Sequence, residues 1–337
     1  MLKPKILITH TLEPNAIQRL EAMFELDYRE DKAGLDKASL IAGLPGKAGA
    51  ILCPYDRIDA EVLDANPELR IVCNTAAGFN NIDVAACTAR GVLCTNTPDV
   101  NTETTADFAF GLLLAVARRI VEGDAWVRHG RWDASTFERF MSLDVHGKTL
   151  GVLGMGRIGR AIARRALGFG MEVIYHSRSA LGSGDDTLSR VRYVGKDELL
   201  RNADHLMVSL AYTSETHHVI GPRELDMMRR TATLVNIGRG GLVDDAALAQ
   251  ALEEGGIAAA GLDVFEGEPH VEPRLLALPN VVMTPHIASA TRRTRAAMIH
   301  LAVDNLIAAL GVPGRVEAPP SLINPEALRA SGAQGSA

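Results

Sequence analysis

The chain has 337 residues, of which 47% are hydrophobic and 23% charged; that is enough for two ordinary domains and is the balance of a globular enzyme, not of a disordered chain. Its net charge of −6 argues against nucleic acid as a partner, because such binding relies on basic surface, but local arginines can still receive an anionic small molecule. Cys53, Cys73, Cys87 and Cys94 have no CxxC spacing and lie in or beside apolar segments, so reduced, mostly buried thiols are expected, with no disulfide and no metal site.

In chain order, Lys5–Thr9 is too short for the apolar part of a signal peptide and reads as a first strand. Pro14–Phe24 has helical spacing, and Ala48–Cys53, Leu69–Cys73 and Val92–Thr95 complete a first strand series. Thr102–Arg131 reads as one long helix. Its most apolar part, Phe108–Ala117, stops at Arg118-Arg119 and is too short to span a bilayer, so no membrane is expected and the expected compartment is the cytoplasm. Trp126–Met141 is rich in arginine and aromatics and resembles neither strand series; a domain connection, a subunit contact and a surface excursion all remain open for it.

A second series follows at Thr149–Leu153, Glu172–Tyr175, His205–Leu210, Thr233–Asn236, Ala258–Val264 and Val281–Met283. Strands alternating with helices predict parallel sheets covered on both faces, and two series predict two α/β domains of doubly wound type. Arg292–Leu310 reads as a helix returning to the first domain, and the small-residue segment from residue 326 reads as a flexible tail.

The motif Gly154-Met155-Gly156-Arg157-Ile158-Gly159 follows a strand and opens a helix, the context that makes a GxGxxG motif specific for a dinucleotide. Gly154 is assigned to the tight turn, Gly156 to close approach of a pyrophosphate, and Gly159 to close helix packing, with the N–H groups at the helix start, around Arg157 and Ile158, meeting the phosphates. NAD-specific sites place an acid about 20 residues on, at the end of the second strand. Here that position reads Tyr175-His176-Ser177-Arg178-Ser179. No acid repels a 2'-phosphate and Arg178 can pair with one, so NADP(H) is expected to be preferred, with NAD(H) the alternative.

Three further stretches supply one arginine, one glutamate and one histidine: Asn236–Gly241 with Arg239, Gly261–Pro269 with Glu268, and Thr284–Ile287 with His286. Reducing a 2-keto acid requires the carboxylate held, the carbonyl polarised, a hydride at C2 and a proton for the oxygen. The planar fork of Arg239 suits the first two tasks, and Gly238, Gly240 and Gly241 are expected to let backbone lie near a ligand. His286 can give the proton, with Glu268 fixing its tautomer and favouring its charged form. His217-His218 show no metal-ligand pattern, and neither HExxH nor GxSxG occurs.

These stretches, together with Thr75–Asp83 and Asp144–Gly151, resemble the D-isomer-specific 2-hydroxyacid dehydrogenase family over nearly the whole chain. The resemblance implies a flavodoxin-like substrate domain (residues 1–100 and 289–325) into which a Rossmann cofactor domain (101–288) is inserted. It places the active site in the cleft between them, with Arg239, Glu268 and His286 as catalytic residues and the N–H groups of Ala77 and Gly78 on the substrate carboxylate. Thr104 and Asp263 fall where the nicotinamide is contacted, and Ala211 and Ile237 among the other cofactor contacts. A homodimer joined through the long helix and the arm after it is also implied. Asp144–Gly159 and the Ser-Arg-Ser segment are most similar to glyoxylate and hydroxypyruvate reductases, including the bacterial branch that reduces 2-ketogluconate. Ala77, Phe79-Asn80, Ala211 and Ala288 depart from the usual residues, which bears on pocket size. Two other readings stay open: an NAD-dependent dehydrogenase of a bulkier D-2-hydroxy acid, and a dinucleotide-responsive binding protein.

Overall fold

The computed structural model describes residues 3–29, 34–182, 188–312 and 317–330. The chain divides into two compact units, Met1–Asn101 with Thr291–Ala337, and Thr102–Ala290.

The first unit holds strands β1 (Lys5–Ile8), β2 (Glu25–Tyr28), β3 (Gly49–Leu52), β4 (Ile71–Asn74) and β5 (Leu93–Thr95). They pair in parallel in the order β2-β1-β3-β4-β5, the flavodoxin-like arrangement. Alternation along each strand divides its side chains between two covers. Ile6, Ile8, Ile51 and Ile71 pack with Leu20 of the Pro14–Glu21 helix and Leu306 of the Arg292–Leu310 helix. Leu7, Ala50, Leu52 and Val72 pack with Leu40, Val62 and Cys87 on the opposite face. Strand β2 was not expected: its sequence Glu-Leu-Asp-Tyr has no apolar run, because it is a sheet edge whose residues are exposed or only half-buried.

The segment expected to be a flexible tail from residue 326 begins instead as the Glu326–Ala330 helix, with Ala327 fully buried. Asn324 anchors it, accepting from the Cys94 N–H at 2.8 Å and donating to the Val92 carbonyl at 2.9 Å. The rest of that expected tail, residues 331–337, lies outside the described residues. All four cysteines are buried and none is in a disulfide, and burial pushes the Cys73 thiol up to about 12.

In the second unit the strands are β6 (Thr149–Leu153), β7 (Glu172–His176), β8 (Arg192–Tyr193), β9 (His205–Val208), β10 (Thr233–Asn236), β11 (Ala259–Leu262) and β12 (Val281–Met283). All pair in parallel, in the order β12-β11-β10-β9-β6-β7-β8. Helices Thr102–Ala117 and Arg157–Gly168 cover one face, and Lys196–Asn202, Pro222–Met227 and Asp245–Glu253 cover the other. The chain winds outward from β6 through β7 and β8, then returns to β9 on the other side. The strand order therefore reverses between β6 and β9, where open α/β sheets bind ligands beyond their carboxyl ends.

The single helix expected over Thr102–Arg131 is two, Thr102–Ala117 and Ile120–Arg128. The break falls at Arg119, which takes a left-handed φ of 53°. Its guanidinium holds both oxygens of Glu122, at 2.7 and 2.8 Å, and the Arg139 carbonyl at 2.7 Å. These bonds tie the turn to the arm that follows. No described helix is long and apolar enough to cross a membrane.

Candidate active site

Six loops leave the carboxyl ends of β6, β7, β9, β10, β11 and β12, and they carry every candidate cofactor and catalytic residue of this unit except Thr104. The β6 loop is the glycine turn. Gly154 has φ +103°, and a Cβ there would lie 2.9 Å from backbone atoms of Ser209 and Leu210. A Cβ on Gly159 would meet the Gly154 carbonyl oxygen at 2.1 Å, so the helix can start against the strand only with glycine here. Gly156 caps the Arg157–Gly168 helix without any side-chain bond, and a Cβ built on it would meet nothing within 4 Å. An uncapped helix start beside open space on the sheet's switch point fits a dinucleotide pyrophosphate.

At the end of β7, His176 is fixed by a 2.9 Å contact from Nδ1 to the Val194 carbonyl and stacks on Tyr193. The Ser177 hydroxyl donates to the Ser179 carbonyl at 2.6 Å and Tyr193 donates to the Ser177 carbonyl at 3.2 Å, which shapes a tight loop. Arg178 sits exposed on this loop. The described part of it contains no carboxylate.

Arg239 follows β10 in extended conformation and opens a short 3-10 turn, Gly240–Leu242. Asn236 builds this turn: its side chain accepts from the Gly238 N–H at 3.1 Å and donates to the Arg239 carbonyl at 3.0 Å. The guanidinium bonds its own neighbour's carbonyl, Gly238, at 2.8 Å. The glycines around it are closely packed by protein. A Cβ on Gly240 would lie 1.8 Å from the Phe265 carbonyl oxygen, and one on Gly241 would lie 2.8 Å from the Tyr212 ring. They admit protein backbone and a ring from the adjacent loops.

Glu268 and His286 meet. The carboxylate Oε2 lies 2.8 Å from His286 Nδ1, and Oε1 accepts from the Phe265 N–H at 3.0 Å. Burial pushes the Glu268 carboxyl up, but the His286 hydrogen bond and charge, the Phe265 N–H and the Arg239 charge outweigh it, leaving the group below the ordinary glutamate value. With Nδ1 engaged, His286 presents Nε2 for chemistry, and its side chain is 33% exposed. The site thus offers a guanidinium and a carboxylate-backed imidazole beside a dinucleotide turn, which is the equipment for hydride transfer to a carbonyl with proton delivery.

Residues 110–288 match the model of the D-isomer specific 2-hydroxyacid dehydrogenase NAD-binding domain. A glyoxylate reductase from Korarchaeum cryptofilum is 46% identical over 330 residues, 97% of this chain and 98% of that one. The chain belongs to the D-isomer-specific 2-hydroxyacid dehydrogenase family. A glyoxylate reductase from Thermococcus gammatolerans is 43% identical over 332 residues, 97% of this chain and 98% of its own. Among solved structures, an NADPH-dependent glyoxylate/hydroxypyruvate reductase from Sinorhizobium meliloti, in complex with NADP and malonate, superposes with a TM-score of 0.84. It is 37% identical, and the match covers 96% of this chain and 98% of that one. The protein is accordingly an oxidoreductase with an NAD(P)-binding domain, and its reaction is the reduction of a 2-keto acid.

The other residues that the family resemblance singled out divide into two groups. Asp263 is fully buried, and its carboxylate bonds the His286 loop: Oδ1 accepts from the Thr284 hydroxyl at 2.7 Å and the Ile287 N–H at 2.9 Å, and Oδ2 from the Ala288 N–H at 2.8 Å. It holds His286, whose φ is +53°, and so acts as a positioning residue. Ile237 directs its side chain into the core, which leaves only its backbone to the site. Thr104 lies half-buried in the first turn of its helix, and Ala211 is exposed before Tyr212.

In the other unit, the Asn96 amide donates to the Ala77 carbonyl at 2.6 Å, and the Thr97 N–H to the Ala76 carbonyl at 2.9 Å. In a trans peptide the N–H points opposite its carbonyl. Pinning these two carbonyls therefore turns the N–H groups of Ala77 and Gly78 the other way, as a pair. The side-chain tethers from Asn236, Asp263 and Asn96 were not read from the sequence. Their one signal is an Asn or Asp at or just past a strand end, which turn residues also show.

Proposed function

We propose that the protein uses NADPH to reduce small 2-keto acids, glyoxylate and hydroxypyruvate first and 2-ketogluconate as a larger substrate, to the D-2-hydroxy acids. The observation that carries the cofactor choice is the β7 loop, where Arg178 is exposed and the ribose-binding acid of NAD sites is replaced by Ser177-Arg178-Ser179. The substrate choice rests on the glyoxylate reductases that share 42–46% of its residues. Gly154, Gly156, Gly159 and the start of the Arg157–Gly168 helix would hold the dinucleotide, which supplies the hydride when bound. Arg239 binds the keto acid's carboxylate and polarises its carbonyl. His286 donates a proton from Nε2 to the carbonyl oxygen, and Glu268 holds the imidazolium through Nδ1. The solvent-exposed side of His286 then restores the proton. The paired N–H groups of Ala77 and Gly78 serve the substrate carboxylate.

A homodimer is part of this reading. Trp132, Phe137 and Met141 are 74%, 79% and 69% exposed. They line a surface groove of about 440 Å³ with Phe140 and Arg118. So much exposed apolar surface on one arm is the mark of a subunit contact; sedimentation at a monomer mass would exclude it. Four buried cysteines with no disulfide among them suit the reducing cytoplasm.

Initial rates with NADPH and NADH against each of the three keto acids test the proposal, in the native enzyme and in Arg178→Ala. The native enzyme should favour NADPH, and the variant should lose roughly 10-fold or more in NADPH kcat/KM, as expected for one charge-assisted phosphate contact, with NADH rates little changed. Equal use of both cofactors by the native enzyme would move the assignment to an NAD-dependent dehydrogenase of a bulkier acid.

A further inference from the structure

The loop 212–218 and the loop 264–268 lie on either side of the Arg239 turn, and they meet at a cluster that the hydride-transfer reaction does not use. His217 and His218 stack with ring centroids 3.8 Å apart and planes 24° from parallel. Adjacent residues on extended backbone point to opposite sides. Here His218 takes a left-handed φ of +49°, which brings both rings to the same side. Glu266, 48 residues on, places its carboxylate 2.9 and 3.0 Å from His218 Nε2. One donor atom from each of His217, His218 and Glu266 lies within 4.8 Å of the others.

We propose that His217, His218 and Glu266 form a binding site for one divalent transition-metal ion of the zinc class, separate from the hydride-transfer site. Two imidazole nitrogens and one carboxylate oxygen are donors that suit zinc, cobalt or nickel better than magnesium or calcium. The outer contacts orient the rings as metal ligands require. Tyr212 Oη lies 3.2 Å from His217 Nδ1 and can accept its proton, leaving Nε2 with a lone pair. Asp244 Oδ2 lies 3.8 Å from His218 Nδ1, beyond hydrogen-bond distance, so on that ring the carboxylate contributes its nearby negative charge. Tetrahedral donors at ordinary metal distances sit roughly 3.3–3.5 Å apart. Exposed side chains on two short loops reach that spacing by small torsional changes, because His217 is exposed and the His218 and Glu266 side chains keep 34% and 40% of their surface in water. Three protein donors leave a fourth position for water or a small anion.

The ion would close one loop on the other across the arginine turn. His218 N–H donates to the Gly241 carbonyl at 2.8 Å, and the Gly240 backbone packs on Phe265, next to Glu266. The sequence concealed this site because its third donor comes from the β11 loop, far from the histidine pair.

The test is Co2+ titration of the full-length, chelator-treated enzyme, followed by ligand-field absorption, with thermal unfolding in Zn2+ as a second readout. One equivalent of Co2+ per chain should give a saturable band and Zn2+ should raise the unfolding midpoint. Both should weaken at least about tenfold in affinity in His217→Ala and in Glu266→Gln, and stay unchanged in His129→Ala, an exposed histidine elsewhere. Both variants alter exposed side chains, so their metal-free unfolding midpoints report directly whether the fold survives. Absence of a stoichiometric band, or a titration that His217→Ala and Glu266→Gln leave as in the native enzyme, overturns the proposal.

Discussion

Asp263→Asn separates two roles that one position can have. The family resemblance implies a contact with the nicotinamide, whereas the structure uses all three of its observed acceptor bonds on the His286 loop. Asparagine keeps the volume and one oxygen, which can still serve Thr284 and Ile287. Its amide group then faces the Ala288 N–H, donor against donor, at a residue only 6% exposed. A buried donor left unmatched costs about 1–3 kcal/mol, and the two remaining bonds weaken from charge-assisted to neutral, by ~0.5–1 kcal/mol each. Relief from burying a charge works the other way, but that cost is already met in the native protein by three short bonds. The net expectation is a loss of about 2 kcal/mol, or a fall of roughly 4–8 °C in the unfolding midpoint for a unit of this size. The loosened loop displaces His286, and an ångström of misplacement lowers kcat by about 100-fold. Calorimetry and steady-state kinetics check both effects, with dinucleotide affinity measured by fluorescence titration. The reasoning is refuted by the opposite pattern, in which midpoint and kcat hold while dinucleotide affinity falls tenfold.

Glu268→Gln should preserve the fold and leave substrate KM within a fewfold, because glutamine can keep the 3.0 Å bond from the Phe265 N–H. It removes the carboxylate charge that meets His286 Nδ1 at 2.8 Å, so kcat for reduction should fall about tenfold or more; an unchanged kcat would remove Glu268 from the proton-delivery pair. Gly240→Ala should unfold at markedly lower temperature or fail to accumulate, since its Cβ would lie 1.8 Å from the Phe265 carbonyl oxygen and backbone must give way. A Gly240→Ala enzyme of native midpoint would show that the 3-10 turn is not packed as described.

Where burial on both faces sets the composition, the elements are plain in the sequence. Strands β6 and β10, inside the sheet and buried except for Thr149, have the bounds expected of them, Thr149–Leu153 and Thr233–Asn236. The Arg292–Leu310 helix is equally sharp because its ends are chemically marked: the Thr291 side chain accepts from the Thr294 N–H, and Gly311 follows the last turn. Strand β2 and the short β8 were missed for the converse reason. They are sheet edges, β2 partly and β8 fully exposed, and their sequences Glu-Leu-Asp-Tyr and Arg-Tyr hold no apolar pattern to read. The break at Arg119 escaped because an arginine in left-handed conformation has no compositional signal; what stabilises it is Glu122 and a carbonyl 20 residues away.

The site divides along the same line. Arg239, Glu268, His286 and the glycine turn could be singled out because the chemistry proposed for them is open to few residue types, at the ends of strands that could be read. How they are held was not legible, because it depends on which polar groups find backbone partners in another loop. Asn236 bonds Gly238 and Arg239, Glu268 bonds Phe265, Asp263 bonds residues 287 and 288, and Asp245 accepts from the Glu266 N–H at 2.9 Å. Each of these carboxylates and amides sits beside the reacting groups without having to touch a substrate. The glycines follow the same logic, since Gly240 is needed for Phe265 to approach and Gly241 for Tyr212. A turn that admits backbone on one side and a ring on the other has little freedom left, and that restraint fixes where the flexible arginine side chain proposed to bind the substrate begins.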